Sequence, residues 1–218
     1  MRFVDRHDAG RRLAADLASR PLSQPVVIAL PRGGVPVAAD IAARLGAPLD
    51  VLVVRKLGYP AQPELGVGAI AEHGMRILNE PLINELGLSM DQIEGITTVE
   101  RAELRRRVRR YRGARPALRL GGRTAILVDD GLASGFTART GIEVLRRQRA
   151  RRIILAVPVG PAHTVRDLRA HADEVVCLRT PPTFVAIGRC YSDFRPVNDN
   201  EVVDVLERHA TATALAHG

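Results

Sequence analysis

Short apolar runs of strand length alternate with amphipathic stretches along the first quarter of the chain. The runs at 25–30 and 49–54 are rich in Val, Ile, Leu and Ala, which is typical of buried strands. Apolar side chains recur at helical spacing in two segments, 5–18 and 36–45. The first of these helices is predicted to start at Asp5 or Asp8. These elements predict an opening helix and then a βαβ unit whose two strands are parallel.

The second half repeats this alternation of strand and helix. Strands are predicted at 124–128, 152–157 and 174–178, and helices at 137–147 and 162–171. The segment 179–198 contains three prolines and is predicted to be irregular. A final helix is predicted at 200–209, and the tail 210–218 is predicted to be disordered.

The segment between the two halves has a different pattern. We predict a loop at 58–63, a hairpin of 66–71 with 75–78, and a short helix at 81–86. A longer helix is predicted from the cap Ser89 to Tyr111, because Ser89 and Gln92 have the spacing of a capping box.

The strands read as continuous apolar runs rather than as alternating ones, which favours a sheet covered on both faces. Aromatic residues make up 3% of the chain and Trp is absent, so aliphatic side chains must fill the core. No linker or repeat divides the sequence. The prediction is a single α/β domain over 1–209, a Rossmann-like parallel sheet with helices on both faces and a core at 25–178.

Cysteine usage and the N-terminus exclude several classes of protein. Cys177 and Cys190 have no C-x-x-C spacing, so neither a zinc site nor a disulfide framework is indicated. The first eight residues are too charged for a signal peptide, and no apolar run approaches the roughly 18 residues of a membrane span. The sequence predicts a cytoplasmic location.

The net charge of +8 is concentrated in one segment. Between Arg101 and Arg123 lie ten arginines and a single acid, Glu103. Such a segment indicates either a solvated helix face or a surface for nucleic acid or another acidic partner. Lys56 is the only lysine, which suggests a place where a compact ammonium group is needed.

The stretch from Ala125 to Thr137 has the strongest chemical pattern. An apolar strand ends in Asp129 and Asp130, and a loop of small residues leads into a helix. Backbone N–H groups and the dipole at such a helix start can hold a phosphate. Paired acids at the strand end suit hydrogen bonds to a sugar diol, and ligands of open α/β sheets bind at this edge.

This stretch resembles the signature of the type I phosphoribosyltransferases. It matches neither a P-loop, which needs Gly-Lys, nor a nucleophile elbow, because Ser134 stands one place too late. The resemblance implies their fold, with a small hood formed by 179–200 and the N-terminal segment, and a flexible loop or hairpin. It also implies that the ribose 5-phosphate of phosphoribosyl pyrophosphate contacts Asp129, Asp130, Gly131, Leu132, Ala133, Ser134, Gly135, Phe136 and Thr137.

Two further segments match the family in the same order. The loop 30–34 resembles the one that contacts pyrophosphate, which assigns that role to Arg32, Gly33 and Gly34. Arg55 and Lys56 end the second strand, where the family places a basic residue on pyrophosphate, and 57–66 corresponds to a mobile lid. The implied reaction displaces pyrophosphate by an acceptor nitrogen, with Lys56, Asp129 and Asp130 as catalytic residues.

The resemblance also implies cofactor and partners. Mg²⁺ would be held mainly by substrate oxygens and water, with Asp129 and Asp130 reaching it through water. A homodimer is expected. A non-catalytic sensor of phosphoribosyl pyrophosphate or a nucleotide on the same fold, using the arginine-rich segment on nucleic acid, is the alternative.

The acceptor side is less defined. The segment 182–194 resembles the C-terminal part of purine phosphoribosyltransferases, so Phe184 or Tyr191 is expected either to stack on a base or to pack. Ala133 stands where hypoxanthine-type members carry an acid, which leaves Glu64 or Glu72 as general-base candidates. Phe136 is bulky for its position in the loop. Together, these motifs resemble a group of bacterial predicted phosphoribosyltransferases whose acceptor is not assigned.

Overall fold

A computed structural model describes the backbone of residues 2–216, together with their side chains except at 64, 73 and 213–216. Its helices are α1 (Arg6–Ala18), α2 (Gly34–Leu45), α3 (Glu80–Glu85), α4 (Met90–Arg112), α5 (Phe136–Arg147), α6 (Ala162–Leu168) and α7 (Asp199–Ala216). Its strands are β1 (Pro25–Ala29), β2 (Leu49–Val51), β3 (Val54–Tyr59), β4 (Gln62–Ala71), β5 (Arg76–Leu78), β6 (Thr124–Val128), β7 (Arg152–Val159) and β8 (Glu174–Arg179).

Five strands form one parallel sheet in the order β2-β1-β6-β7-β8. Ala29 of β1 pairs with both Val51 of β2 and Val128 of β6, and Val128 pairs with Ala156 of β7. The C-terminal ends of β1, β2 and β6 therefore lie side by side, and we call this side of the sheet the C-terminal edge. This confirms the predicted α/β fold and its βαβ start.

Both faces of this sheet are covered, because its central strands direct apolar side chains to both sides. Ile126 packs in a cluster with helices α1, α2 and α7, and the adjacent Leu127 packs in a second cluster with α5 and α6. Both side chains are fully buried. The layers are those of a helix, sheet and helix sandwich.

A second sheet of three antiparallel strands, β3-β4-β5, differs in part from the prediction. The predicted hairpin is confirmed, since Gly68 pairs with Leu78. The predicted strand 49–54 is wrong at its end, because β2 stops at Val51 and Val54 already belongs to β3. The predicted loop 58–63 is instead the end of a β-ribbon in which Tyr59 pairs with Gln62.

Two long helices complete the fold. Ser89 and Gln92 form the predicted capping box at the start of α4, and the helix ends at Arg112. The predicted final helix is longer in the structure, because α7 runs from Asp199 to Ala216. The disorder predicted for 210–218 stays a prediction, and residues 217 and 218 lie outside the described residues. Within residues 2–216 no helix is long and apolar enough to cross a membrane.

Candidate functional site

Two loops lie against each other at the C-terminal edge. The loop 30–34 follows β1, and the Leu30 amide donates to the carbonyl oxygen of Val128 at 2.8 Å. A Cβ atom on Gly33 would lie 1.9 Å from Oδ2 of Asp130, and one on Gly34 would lie 2.6 Å from the Val128 carbonyl oxygen. Only glycine permits this close approach, so the predicted pyrophosphate and phosphate segments form one continuous surface.

The loop after β6 is held by its backbone and prepares the start of α5. The Leu132 amide donates to the carbonyl of Val159 at 2.8 Å, and the Thr164 hydroxyl donates to the carbonyl of Ala133 at 3.0 Å. Gly135 has a φ of 75° and precedes Phe136, the first residue of α5. The first N–H groups of a helix have no acceptor within the helix, so they are available to an anion at this point.

The two acids at the end of β6 have different surroundings. Asp130 is buried and accepts a hydrogen bond from Nε of Arg6 at 2.8 Å, with the two side chains 12% and 11% exposed. Asp129 is largely buried but less completely than Asp130, and its Oδ1 accepts from the Asp130 amide at 2.8 Å. Asp129 is therefore the carboxylate with room for a ligand, whereas Asp130 already has a cationic partner.

Burial governs the charge of this acid pair. Desolvation raises the pKa of Asp129 well above its ordinary value, and the neighbouring charge of Asp130 raises it further. Desolvation also raises the pKa of Asp130, although the ion pair with Arg6 opposes that shift. The pair consequently binds a proton at a higher pH than an isolated aspartate does.

The two segments predicted to form the hood, the N-terminal segment and 179–200, contact each other. The Phe3 amide donates to the Cys190 carbonyl at 2.9 Å, and the Ser192 amide donates to the Phe3 carbonyl at 2.8 Å. Tyr191, which lies between Cys190 and Ser192 in the chain, is 3% exposed, and its hydroxyl donates to the carbonyl of Asp130 at 2.6 Å. The expectation that Tyr191 stacks on a base is wrong, because its ring is buried against Phe3 and Phe194.

Phe184 packs against the same aromatic cluster and is partly buried. Its predicted contact with a base stays a prediction. Arg6, which connects the hood to Asp130, was not among the predicted site residues. The guanidinium of Arg6 lies 3.9 Å from the centroid of the Phe194 ring and donates to the Arg195 carbonyl at 2.9 Å.

Arg32 lies beside the first residue of α7. Its guanidinium is 41% exposed and lies 3.7 Å from Oδ1 of Asp199. The Tyr111 hydroxyl donates to the same oxygen at 2.6 Å, and Arg106 donates to Oδ2 at 3.3 Å. Burial, followed by the bond to Asp199, raises the pKa of Tyr111 to about 12. Asp199 thus orients the cation of the loop 30–34 at the C-terminal edge.

Arg55 and Lys56 are neighbours on β3. Nε of Arg55 donates to Oε2 of Glu100 on α4 at 2.7 Å. The side chain of Lys56 is exposed and passes close to Gly66, whose Cβ would lie 3.0 Å from its Cδ atom. Both residues therefore lie on the antiparallel sheet, and their contact with pyrophosphate stays a prediction.

The two general-base candidates have different outcomes. Glu72 is buried, with Oε2 at 2.5 Å from Nη1 of Arg112 and Oε1 accepting from the Val53 amide at 3.1 Å. A carboxylate engaged in this way cannot reach a ligand, so the proposal of Glu72 as a base is wrong. The backbone of Glu64 lies in β4, but its side chain lies outside the described residues.

Many of the arginines between 101 and 123 serve the fold. Arg106 and Arg107 both donate to Glu103, whose pKa is lowered to about 2 by these hydrogen bonds. Arg112 also approaches Asp50 at 3.4 Å. Arg115 donates to the carbonyl of Tyr111 at 2.9 Å. Nucleic-acid binding by this segment stays a prediction.

Comparison with known proteins places this geometry in a family. A family model described as a phosphoribosyl transferase domain matches residues 5–195. Two Mycobacterium tuberculosis proteins, from strains CDC 1551 and H37Rv, are each 48% identical over 94% of this chain. They are named "Putative phosphoribosyl transferase MT0597" and "Putative phosphoribosyl transferase Rv0571c". The match covers 46% of each, so the chain spans about half their length.

A solved structure extends the similarity to three dimensions. The crystal structure of TT1426 from Thermus thermophilus is 42% identical to this chain, with a TM-score of 0.83. The superposition covers 95% of this chain and 99% of TT1426. The chain therefore belongs to the phosphoribosyl transferase domain family.

Proposed function

We propose that this chain binds magnesium phosphoribosyl pyrophosphate and transfers its phosphoribosyl group to an acceptor nitrogen, with release of pyrophosphate. The observation that carries the proposal is the contact between the loops 30–34 and 129–137. Gly33 and Gly34 bring the first loop against the acid pair, so the two ends of one elongated phosphorylated sugar can be held side by side.

Each part of the site suits a different part of that substrate. The N–H groups at the start of α5 suit the 5-phosphate, and Asp129 suits the ribose hydroxyls. The loop 30–34 suits pyrophosphate, with Arg32 supplying positive charge and Lys56 a second cation from β3. Most of the rate enhancement would then come from positioning and from neutralising the leaving group.

The bond changes follow from these positions. The lone pair of the acceptor nitrogen forms a bond to C1 as the C1–O bond breaks, and the electron pair leaves with pyrophosphate. A proton carried by that nitrogen is released to water. Mg²⁺ bound to the pyrophosphate oxygens would lower its negative charge. Asp129, the less buried acid at the edge, is the carboxylate that fits such an ion through a water molecule.

Calorimetry tests the first half of this function. Titration with phosphoribosyl pyrophosphate should release heat in the presence of Mg²⁺ and much less in its absence. The double variant Asp129→Asn with Asp130→Asn should weaken binding by about a hundredfold, since two charged hydrogen-bonding groups are lost. Asp167→Asn, an exposed acid on α6, is the matched control and should bind normally. Unchanged affinity in the double variant would refute the site.

Pyrophosphate release tests the second half. The protein is incubated with magnesium phosphoribosyl pyrophosphate and a panel of nucleobases and aromatic amines, and free pyrophosphate is measured. Release that depends on one acceptor supports the transferase. Tight binding without release for any acceptor would support the sensor instead.

A further inference from the structure

Each acid at the end of β6 uses one carboxylate oxygen within the protein. Oδ1 of Asp129 accepts from the Asp130 amide at 2.8 Å, and Oδ2 of Asp130 accepts from Nε of Arg6 at 2.8 Å. The other oxygen of each acid accepts no hydrogen bond from the described residues. Among those residues no buried side-chain oxygen lacks a partner, so these two oxygens are accessible. Each acid therefore leaves one oxygen for a ligand.

Two accessible oxygens on consecutive residues suit two neighbouring hydroxyl groups. A hydroxyl that donates to a carboxylate forms a charge-assisted hydrogen bond, which is stronger than a neutral one. The ion pair with Arg6 engages only one oxygen of Asp130, so it does not exclude this acid from sugar binding. Asp129 and Asp130 can thus each accept from one of the 2- and 3-hydroxyls of a ribose ring.

The hood fixes the guanidinium of Arg6. This group lies 3.9 Å from the centroid of the Phe194 ring, and its Nη1 donates to the Arg195 carbonyl at 2.9 Å. The side chains of Arg6 and Asp130 are only 11% and 12% exposed. A planar guanidinium held in this way has a defined direction for its Nε–H bond. It therefore determines where Oδ2 of Asp130 lies.

The loop 30–34 restricts the same carboxylate from another side. A Cβ atom on Gly33 would lie 1.9 Å from Oδ2 of Asp130, 2.5 Å from Cγ and 3.1 Å from Oδ1. The carboxylate consequently lies against the backbone of Gly33 and cannot turn in that direction. With Oδ2 held by Arg6 and close to Gly33, Oδ1 is the oxygen presented to a ligand.

We propose that Arg6 is a positioning residue for sugar recognition, because its bond to Oδ2 directs Oδ1 of Asp130 to one hydroxyl of the ribose. Oδ2 of Asp129 binds the other hydroxyl. The proposal rests on the transferase function above and gives the hood a part in binding the sugar. Arg6 itself does not touch the substrate. A purely structural role of Arg6 would weaken every ligand alike, whereas positioning affects one hydroxyl selectively.

Furanosides that lack one hydroxyl test this assignment. Calorimetry without Mg²⁺ compares methyl α-D-ribofuranoside 5-phosphate with its 2-deoxy and 3-deoxy analogues. Each analogue should bind the wild-type protein about tenfold more weakly, since one charge-assisted hydrogen bond is lost. Wild-type protein that responds to the loss of only one hydroxyl, or of neither, overturns the proposal.

Single variants assign each hydroxyl to an acid. Asp129→Asn should remove most of the effect of one hydroxyl, and Asp130→Asn most of the effect of the other. Arg6→Gln should act on the same hydroxyl as Asp130→Asn, and Arg6→Lys should retain part of the wild-type effect because the charge remains. Arg12→Gln, on the same helix but paired with Asp8, is the matched control and should keep the wild-type pattern. Arg6→Gln protein in which both hydroxyls keep their effect, or lose it equally, overturns the proposal.

Phe194→Leu is a milder variant that serves where Arg6→Gln does not fold. It keeps the arginine but removes the ring on which the guanidinium lies, so it should reduce the effect of the same hydroxyl to a smaller extent. An unchanged wild-type pattern in Phe194→Leu would count against the positioning role.

A parallel titration with magnesium phosphoribosyl pyrophosphate separates the two hypotheses. If the wild-type protein does not bind this compound, the proposed function fails. If the wild-type protein binds it but the variants of Arg6 keep the wild-type hydroxyl pattern, only the role of Arg6 is refuted.

Discussion

The loop after β6 and the hood that covers it meet at Asp130, but they are built in different ways. The loop is held mainly through backbone atoms, as where the Leu132 amide donates to the carbonyl of Val159 on the neighbouring strand β7. The hood is joined to that loop by side chains that are distant from it in the sequence. Arg6 and Tyr191 both bind Asp130, one through its carboxylate and the other through its carbonyl.

Because of this difference, the groups proposed to bind phosphate are not the groups that position the hood. In the proposed function, backbone amides and glycines at the C-terminal edge bind the anion, and these groups do not belong to the hood. The side-chain contacts of Arg6 and Tyr191 with Asp130 fix the position of the hood relative to the loop after β6. Changes in the hood should therefore affect stability, and changes in the loops should affect phosphate binding.

Arg6→Gln should have the largest effect on stability. It leaves the buried carboxylate of Asp130 without its cation, and removing one partner of a buried pair costs about 3 kcal/mol. Urea denaturation should show this loss in the free energy of unfolding. Arg195→Gln is the matched control, because its ion pair with Asp193 is exposed on the same hood. Equal losses in the two variants would mean that the contact with Asp130 does not hold the hood.

Gly34→Ala should be second, with a loss of about 2 kcal/mol from overpacking. The new Cβ would lie 2.6 Å from the Val128 carbonyl oxygen and 2.9 Å from Cα of Asp129, and neither backbone atom can move alone. Phosphoribosyl pyrophosphate should no longer bind. Gly95→Ala on α4 meets no atom within 4 Å and should instead gain up to about 1 kcal/mol. Calorimetry and denaturation of both variants check this contrast, and normal binding by Gly34→Ala would contradict it.

The same difference explains what the sequence predicted. The strand β6, its acids and the start of α5 occupy consecutive residues, so a local pattern was enough to find them, and β6 matches its predicted bounds at Thr124 and Val128. The parallel order of the first strands also followed from their apolar runs. What a pattern could not supply was the approach of Gly33 to Asp130, because that distance depends on the register of β1 with β6.

The parts that were missed depend on long-range contacts. Arg6 and Asp130 are 124 positions apart, and Arg6 looks like any charged residue at a helix start. Tyr59 and Gln62 pair although neither flanking segment has the alternation of a strand. Glu72 resembled a free acid near the lid, because its partner Arg112 lies 40 positions away in a segment that seemed to face solvent.

Tyr191→Phe should cost about 1 kcal/mol, the usual net contribution of one hydrogen bond. The ring stays in the aromatic cluster, and only the bond from its hydroxyl to the Asp130 carbonyl is lost. Tyr59→Phe at the end of the β-ribbon is the matched control, since the described residues offer its hydroxyl no hydrogen bond. Denaturation that gives the same loss for both variants would contradict a specific role for Tyr191.

Asp129→Asn should give the smallest change in stability, and one that depends on pH. Burial raises the pKa of Asp129 in the folded protein above its ordinary value of 3.8, so the fold favours the protonated acid. The stability that Asp129 contributes to the fold is fully present below that ordinary pKa and is lost as the pH rises through the pKa of the folded protein. An asparagine does not titrate and avoids the loss.

The melting temperature of Asp129→Asn relative to wild type should therefore rise as the pH increases above the ordinary aspartate pKa of 3.8. Asp167→Asn, on the exposed face of α6, should show no such trend. A relative melting temperature that falls over this range would mean that the wild-type fold favours the ionised acid. With the expected sign, the variant is stabilised at neutral pH while it loses phosphoribosyl pyrophosphate. The acid would then be retained at a cost to the fold, because the ligand needs its charge.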